Sequence, residues 1–471
     1  MMAVPRVVLY LAFLFSSRLF LLRIISSFSG FFASASSDEA ARSSDTNSTT
    51  PTRSTTLRKY LVAYGGQKKE GVYIAMAPAF FGFYGYFGAL AGIEDELYRL
   101  GDLNDVNNGQ NQTSFTSGTS LLVERRIVRG VSGASAGAMA AVVLAAGISP
   151  HGASNYVSKI GLADFADPFG LMGVMKGDRF ESLMSDFLQS LSPIKANISV
   201  DKDADDTKSI QLYSPLYLED AVIPVAVSTV DMQPRVAAPE LFWWQRLLSP
   251  WSYISSTYLP RAKILMQGSM ARAARASACF PVLFQPVGWI TSRNSMHTSS
   301  ETRKNTDVTS NSSAIGSSVE YSLLIDGGIF DWAGYNGLKE IIGTPLDKSR
   351  DNLEDNRVQI LENDRIRVVN IAIGGFGTPI PGPEAISKSI GVCVESVLSI
   401  SIKNLPRCGP WAMKNGPLAS SSARMAIRDA MDRPIIASTS TCTDKETDKT
   451  NPQTILQSHF VLEIDASSFV E

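Results

Sequence analysis

Five residues in the first third of the chain, Gly133-Ala134-Ser135-Ala136-Gly137, form the pattern G-x-S-x-G. Glycines two positions either side of a serine permit a sharp turn that carries the hydroxyl clear of the backbone, where it can act as a nucleophile. The pattern has chemical meaning only between a strand and a helix. Here Ile127, Val128 and Val131 make a β-leaning run before it, and residues up to Leu144 are strong helix formers after it. A helix starting there points backbone N–H groups, that of Ala136 among them, and the positive end of its dipole at an oxyanion forming on an attacked carbonyl. The plainer reading is a small-residue turn that packs a helix on a strand.

A serine nucleophile needs a base, and the chain has only three histidines, His151, His297 and His459. The carboxylate that stands out is Asp326, which follows the apolar run 321–325 and precedes Gly327-Gly328. That order delivers an acid group to the edge of a sheet on a tight turn. Alone, D-G-G is an ordinary turn; in a chain with an elbow serine it is a partner for it. A carboxylate is a poorer base than imidazole, so oxyanion donors must supply much of the stabilisation, each typically worth ~3 kcal/mol.

The elements that must carry these residues are legible as apolar runs. Residues 61–77 read as a first β region, best over 72–77. A glycine-punctuated aromatic loop from Pro78 then runs into a helix through about residue 100. Such a loop is either a backbone anion cradle or the buried start of an aromatic helix. Further helices are expected over 180–191, 264–277, 385–402 and 421–431. Strands are expected over 221–230, 321–325, 367–373 and 459–464, of which 221–230 has the unbroken apolar character of a strand buried on both faces. Strands alternating with helices predict an α/β fold. Polar, Ser/Thr/Asn-rich stretches at 104–120 and 291–320 read as loop insertions.

Composition narrows the function. With 44% hydrophobic residues and 19% charged the chain is globular, and a net charge of −2 offers no basic field for nucleic acid. The four cysteines, Cys279, Cys393, Cys408 and Cys442, are scattered, which indicates neither a disulfide framework nor a zinc site. No ligand set for a metal stands out, and no cofactor is expected.

Residues 1–37 contain no acid. Arg6 precedes the apolar run 7–15, Arg18 and Arg23 interrupt a second run, and 33–35 is Ala-Ser-Ala. This is the make-up of a secretory signal, a signal anchor or an organellar transit peptide. Residues 36–57 are a Ser/Thr-rich linker, so the expected organisation is a targeting and linker segment, 1–57, followed by one folded domain, 58–471. Trp243, Trp244 and Trp251 lie within nine residues of one another, beside Arg and Leu. They suit either a membrane–water boundary or a lid over the site. N-x-S/T sites stand at Asn47, Asn111, Asn197 and Asn311. A membrane-associated location is expected, in the secretory pathway and endoplasmic reticulum or in a plastid or mitochondrion, and not plain cytosol.

The G-A-S-A-G elbow, the segment Ala276-Ser-Ala-Cys-Phe-Pro281, the strand V-A-V-S-T-V-D (225–231) and the D-G-G turn occur in an order that resembles the patatin-like phospholipases, over roughly 72–377. The resemblance implies a three-layer α/β sandwich with a central, mostly parallel sheet, with residues 378–471 adding C-terminal helices and a strand. It implies a serine acyl hydrolase of glycerolipid or phospholipid esters. In it Ser135 is the nucleophile, and Asp326 polarises its hydroxyl and then activates water to break the acyl-enzyme. Gly133, Gly137, Gly327 and Gly328 are the elbow and turn glycines. The family's first loop, G-G-G-x-[RK]-G, is altered here to Ala77-Pro78-Ala79-Phe80-Phe81-Gly82. Pro78 has no N–H to offer, which leaves the backbone N–H groups of Phe80, Phe81 and Gly82 to join that of Ala136 as oxyanion donors. Two alternatives stand beside this reading: a patatin-fold lipid-binding or membrane-scaffold protein impaired in catalysis, and an α/β-hydrolase triad of Ser135, Asp326 and His459.

Overall fold

The computed structural model describes residues 54–65, 71–108, 118–167, 173–193, 216–234, 258–280, 282–292, 319–343, 366–374, 381–390, 392–409, 412–443 and 454–470. Thr52–Glu471 is one unit by its internal contacts. Met1–Pro51, with most of the expected targeting and linker segment, lies outside the described residues.

In chain order the strands are β1 (Ser54–Thr56), β2 (Val72–Met76), β3 (Val128–Ala134), β4 (Gly173–Met175), β5 (Val225–Pro234), β6 (Tyr258–Leu265), β7 (Val282–Phe284), β8 (Val287–Ser292), β9 (Val319–Asp326), β10 (Ile366–Ile373), β11 (Val394–Lys403), β12 (Pro434–Thr443) and β13 (Thr454–Asp465). The helices of two turns or more among the described residues are α1 (Leu57–Gly65), α2 (Phe83–Asn108), α3 (Ala136–Ala145), α4 (Pro150–Val157), α5 (Asp178–Leu191), α6 (Met270–Ser277), α7 (Asn336–Gly343), α8 (Pro383–Ile390) and α9 (Gly416–Ala430).

Eleven strands form one mixed sheet in the order β1-β12-β13-β11-β10-β2-β3-β5-β9-β8, with β6 also paired to β5. The run β13-β11-β10-β2-β3-β5 is parallel. Antiparallel partners close both sides. The central strands are apolar on both faces because helices cover both. Along β10, Val369, Ile371 and Ile373 point into the cluster that holds α2, α3 and α9, while Ile366 and Val368 point into the cluster of α7 and α8. This is the three-layer α/β sandwich with a mostly parallel central sheet.

Several elements differ from the expectation. The described structure begins at Ser54, four residues before the expected domain start, because β1 pairs with β12 and the Arg58 guanidinium grips Asp432 at 2.8 Å. Residues 57–65 are helical: Leu57, Tyr60 and Leu61 are buried at i, i+3 and i+4 spacing, a helical period that runs from the end of the expected linker into the region 61–77 read as β. The expected helix 264–277 divides into the end of β6, a turn at Gly268 with φ +96°, and α6 capped by Ser269. The expected helix 385–402 divides into α8 and β11, since its second half is inserted between β10 and β13, where a strand alone can satisfy both ladders. Among the described residues C-terminal to 378 there are three strands, β11, β12 and β13, instead of one. The spacing indicates no disulfide framework, yet Cys393 is disulfide-bonded, whereas Cys279 and Cys408 are free. Spacing along the chain carries no information about which thiols the sheet brings together.

Candidate active site

β5 sets the distance between the two motifs. Ala134, which precedes the elbow serine, lies beside Ser228, and Asp326 lies beside the next residue, Thr229. The C-terminal ends of β3 and β9 therefore reach the same rim from either side of one strand.

Ser135 is the residue before the first turn of α3, with φ 55° and ψ −125°. A non-glycine residue held there stores strain on the order of 1–3 kcal/mol. The glycines around it are required by close approach. A Cβ on Gly137 would collide with the Met76 carbonyl oxygen, and one on Gly133 with the carbonyl of Gly137. The Ser135 hydroxyl donates to Asp326 Oδ2 at 3.0 Å, and Asp326 Oδ1 accepts the Gly328 N–H at 2.7 Å. A Cβ on Gly327 would strike the Ser228 carbonyl oxygen, so this turn also demands its glycine.

Asp326 is 4% exposed. Burial pushes its carboxyl up to about 7, against the opposing pull of the Gly328 and Ser135 hydrogen bonds. A base with that affinity for protons is matched to proton transfer near neutral pH.

Loop 77–82 leaves β2 against Gly137 and passes the D-G-G turn, where a Cβ on Gly328 would lie 2.6 Å from Pro78 Cβ. It therefore borders both motifs, but one of its expected donors is taken. The Gly82 N–H closes a turn onto the Ala79 carbonyl at 3.3 Å, which removes Gly82 as an oxyanion donor. Phe81 has φ 53°, the left-handed region that a glycine would adopt freely. The ring of Phe80 is 47% exposed and meets Phe280 edge-on at 6.0 Å. Among the described residues, the N–H groups of Phe80 and Ala136 have no backbone acceptor. For Ala136 that follows from its place in the first turn of α3.

Sequence reasoning missed the residues that hold this arrangement. Ser277 Oγ accepts the Ser135 N–H at 2.8 Å and donates to the Ser228 carbonyl at 2.6 Å. Two residues later the Cys279 carbonyl accepts the Asp326 N–H at 3.1 Å. Asp331 accepts from Ser228 Oγ at 2.5 Å and from the N–H groups of Tyr335 and Asn336, and burial raises its carboxyl. The segment Ala276-Ser-Ala-Cys-Phe-Pro281 was conspicuous in the sequence, but nothing in its composition says that it touches both motifs.

The family model described as patatin-like phospholipase matches residues 120–333, a stretch that includes Ser135 and Asp326 and leaves out loop 77–82. Over that stretch the chain is similar to the patatin-like phospholipase family. The family is one of lipid acyl hydrolases, and lipid esters are its substrate class. The crystal structure of VipD from Legionella pneumophila is similar over 78% of this chain and 68% of that one, at 14% identity and a TM-score of 0.33, too low to carry an argument. No curated protein sequence matches.

Other residues singled out in the sequence fall elsewhere in the fold. His459 lies on β13, with β11, β10 and β2 between it and β3, a separation of about 19 Å at the usual strand spacing. It faces Ser399 at 3.4 Å, and burial lowers its proton affinity, so the triad of Ser135, Asp326 and His459 does not assemble. Trp243, Trp244, Trp251 and the N-x-S/T sites lie outside the described residues. One helical turn beyond Ser135, Met139 helps line an apolar cleft with Phe83, Phe87, Phe180, Met184 and Phe187. Its free volume is about 20 Å³, room for about one water molecule.

Proposed function

We propose that the chain hydrolyses fatty acyl esters of glycerolipids or phospholipids through a Ser135–Asp326 dyad and a covalent acyl-enzyme. The observation that carries this reading is the 3.0 Å hydrogen bond from the Ser135 hydroxyl to a buried carboxylate. Asp326 takes the proton as Ser135 Oγ bonds to the ester carbonyl carbon, and the carbonyl electron pair moves to its oxygen. The N–H groups at the start of α3 and in loop 77–82 face that charge. Collapse breaks the ester C–O bond, and Asp326 returns the proton to the departing alkoxide. Water then repeats the sequence: Asp326 deprotonates it, hydroxide adds to the acyl carbon, and Ser135 Oγ leaves with the proton. The test is release of fatty acid from phospholipid vesicles, with a fluorophosphonate adduct mapped by mass spectrometry. Turnover in a purified Ser135→Ala or Asp326→Asn variant would refute the dyad.

A second reading, lipid binding without turnover, draws support from Pro78 and from the engaged Gly82 N–H, which leave the loop fewer donors than a glycine-rich one. Vesicle binding with no adduct at Ser135 would establish it. As to compartment, the Cys393 disulfide favours an oxidising secretory setting over a plastid or mitochondrial one. Membrane association would come from the N-terminal segment and the tryptophans 243, 244 and 251. A mobility shift on glycosidase treatment of protein from the native host would support the secretory assignment, and a glycan-free chain would count against it.

A further inference from the structure

Ser277 is fully buried at the end of α6, and its one hydroxyl makes two bonds of opposite sense. By donating to the Ser228 carbonyl it places its hydrogen on the β5 side. Its lone pairs are thereby turned toward the Ser135 N–H. The residue it meets is the strained one: at φ 55° and ψ −125°, no regular secondary structure holds the Ser135 backbone, and its N–H would otherwise lie unpartnered at the head of α3. Two residues on, the Cys279 carbonyl holds the Asp326 N–H, so one short segment touches the backbone of both members of the dyad.

We propose that Ser277 is a positioning residue for the Ser135 nucleophile, its hydroxyl clamping the strained elbow to β5 and committing the Ser135 N–H, so that Ala136 supplies the helix-side oxyanion donor. The inference rests on the dyad reading and deepens it. Without the hydroxyl, Ser135 Oγ drifts from the line between Asp326 and the ester carbon. The start of α3 then presents a different set of donors. Nothing about Asp326 changes, because Ser277 does not touch its carboxylate.

The experiment compares full-length wild type, Ser277→Ala and Ser277→Thr. It measures kcat and KM on a soluble short-chain ester, the rate of fluorophosphonate labelling, the pH profile, and the melting temperature. Ser277→Ala is expected to lose about 10- to 100-fold in kcat and labelling rate, with KM changed less than about twofold, since small misplacements of a nucleophile act on the reacting geometry. The pH midpoint should stay where it is while the plateau falls, and Ser277→Thr, which keeps the oxygen, should recover most of the rate. Ser277→Ala working at the wild-type rate would overturn the proposal. So would a loss that merely follows the fraction of folded protein, with an unchanged rate per folded molecule. Wild-type protein that neither labels nor turns over would overturn the dyad and this proposal together, whereas a labelled wild type with an equally labelled Ser277→Ala would overturn only this one.

Discussion

Glu94 in α2 and Asp326 at the end of β9 are both buried carboxylates that receive serine hydroxyls, and burial raises both above the usual carboxylate range. Glu94 accepts from Ser120 Oγ at 2.9 Å, the Leu121 N–H at 2.7 Å and Ser149 Oγ at 3.1 Å. Asp326 accepts from two donors, and one of them is Ser135. The serines differ more than the acids. Ser120 (φ −70°, ψ 127°) and Ser149 (φ −60°, ψ 132°) have relaxed extended backbones before helices and are buried. Ser135 has a strained backbone and is partly exposed. A raised proton affinity therefore marks burial, not reactivity. What separates the two regions is a reachable hydroxyl on a strained turn, beside a carboxylate with acceptor capacity left over.

The largest expected break in that comparison is chemical. Ser135→Ala or Asp326→Asn should lower fatty acid release by about 10⁴-fold or more, whereas Glu94→Ala should leave turnover per folded molecule within about twofold. The pH profile sharpens it further: with Asp326 raised to about 7, kcat/KM should fall about tenfold per pH unit below that midpoint and level off above it. Stability should respond with opposite signs. The raised folded-state value means that the folded protein holds a proton the unfolded chain has released between pH 3.8 and about 7, so this contribution is present at low pH and lost as pH rises through 7. Asp326→Asn removes the buried charge and should stabilise the fold by up to about 4 kcal/mol at pH 8, fading toward pH 4, in calorimetric melts. Glu94→Ala strands three buried donors and should destabilise it by about 3 kcal/mol. The smallest effect belongs to His459→Ala: turnover unchanged, within about twofold, given its place on β13.

Much of the site was legible because its requirements are local. Gly133, Gly137 and Gly327 are dictated by backbone atoms that a Cβ would strike, and such needs appear as glycine at fixed offsets from Ser135 and Asp326. The Gly82 N–H was misread because its acceptor, Ala79, depends on how the loop folds, not on which residues compose it. Residues 394–402 fall in the expected helix 385–402 because an apolar run suits either structure, and only the gap between β10 and β13 makes them a strand. Ser277 and Cys279 stand in a segment that the sequence marks, but their contacts with Ser135 and Asp326 do not show in it, since a buried serine or a backbone carbonyl is ordinary until its partner is known.

By itself, then, the amino-acid order determined the elbow, the acid-bearing turn and the alternation of strands and helices, all of which follow from steric and periodic rules acting over a few residues. The folded molecule decided that Ser135 and Asp326, 191 residues apart, meet across β5, that His459 stays out of reach, and that Ser277 holds the Ser135 N–H. Those outcomes depend on strand order and register, which are settled by packing over the whole sheet and leave no mark at any single position.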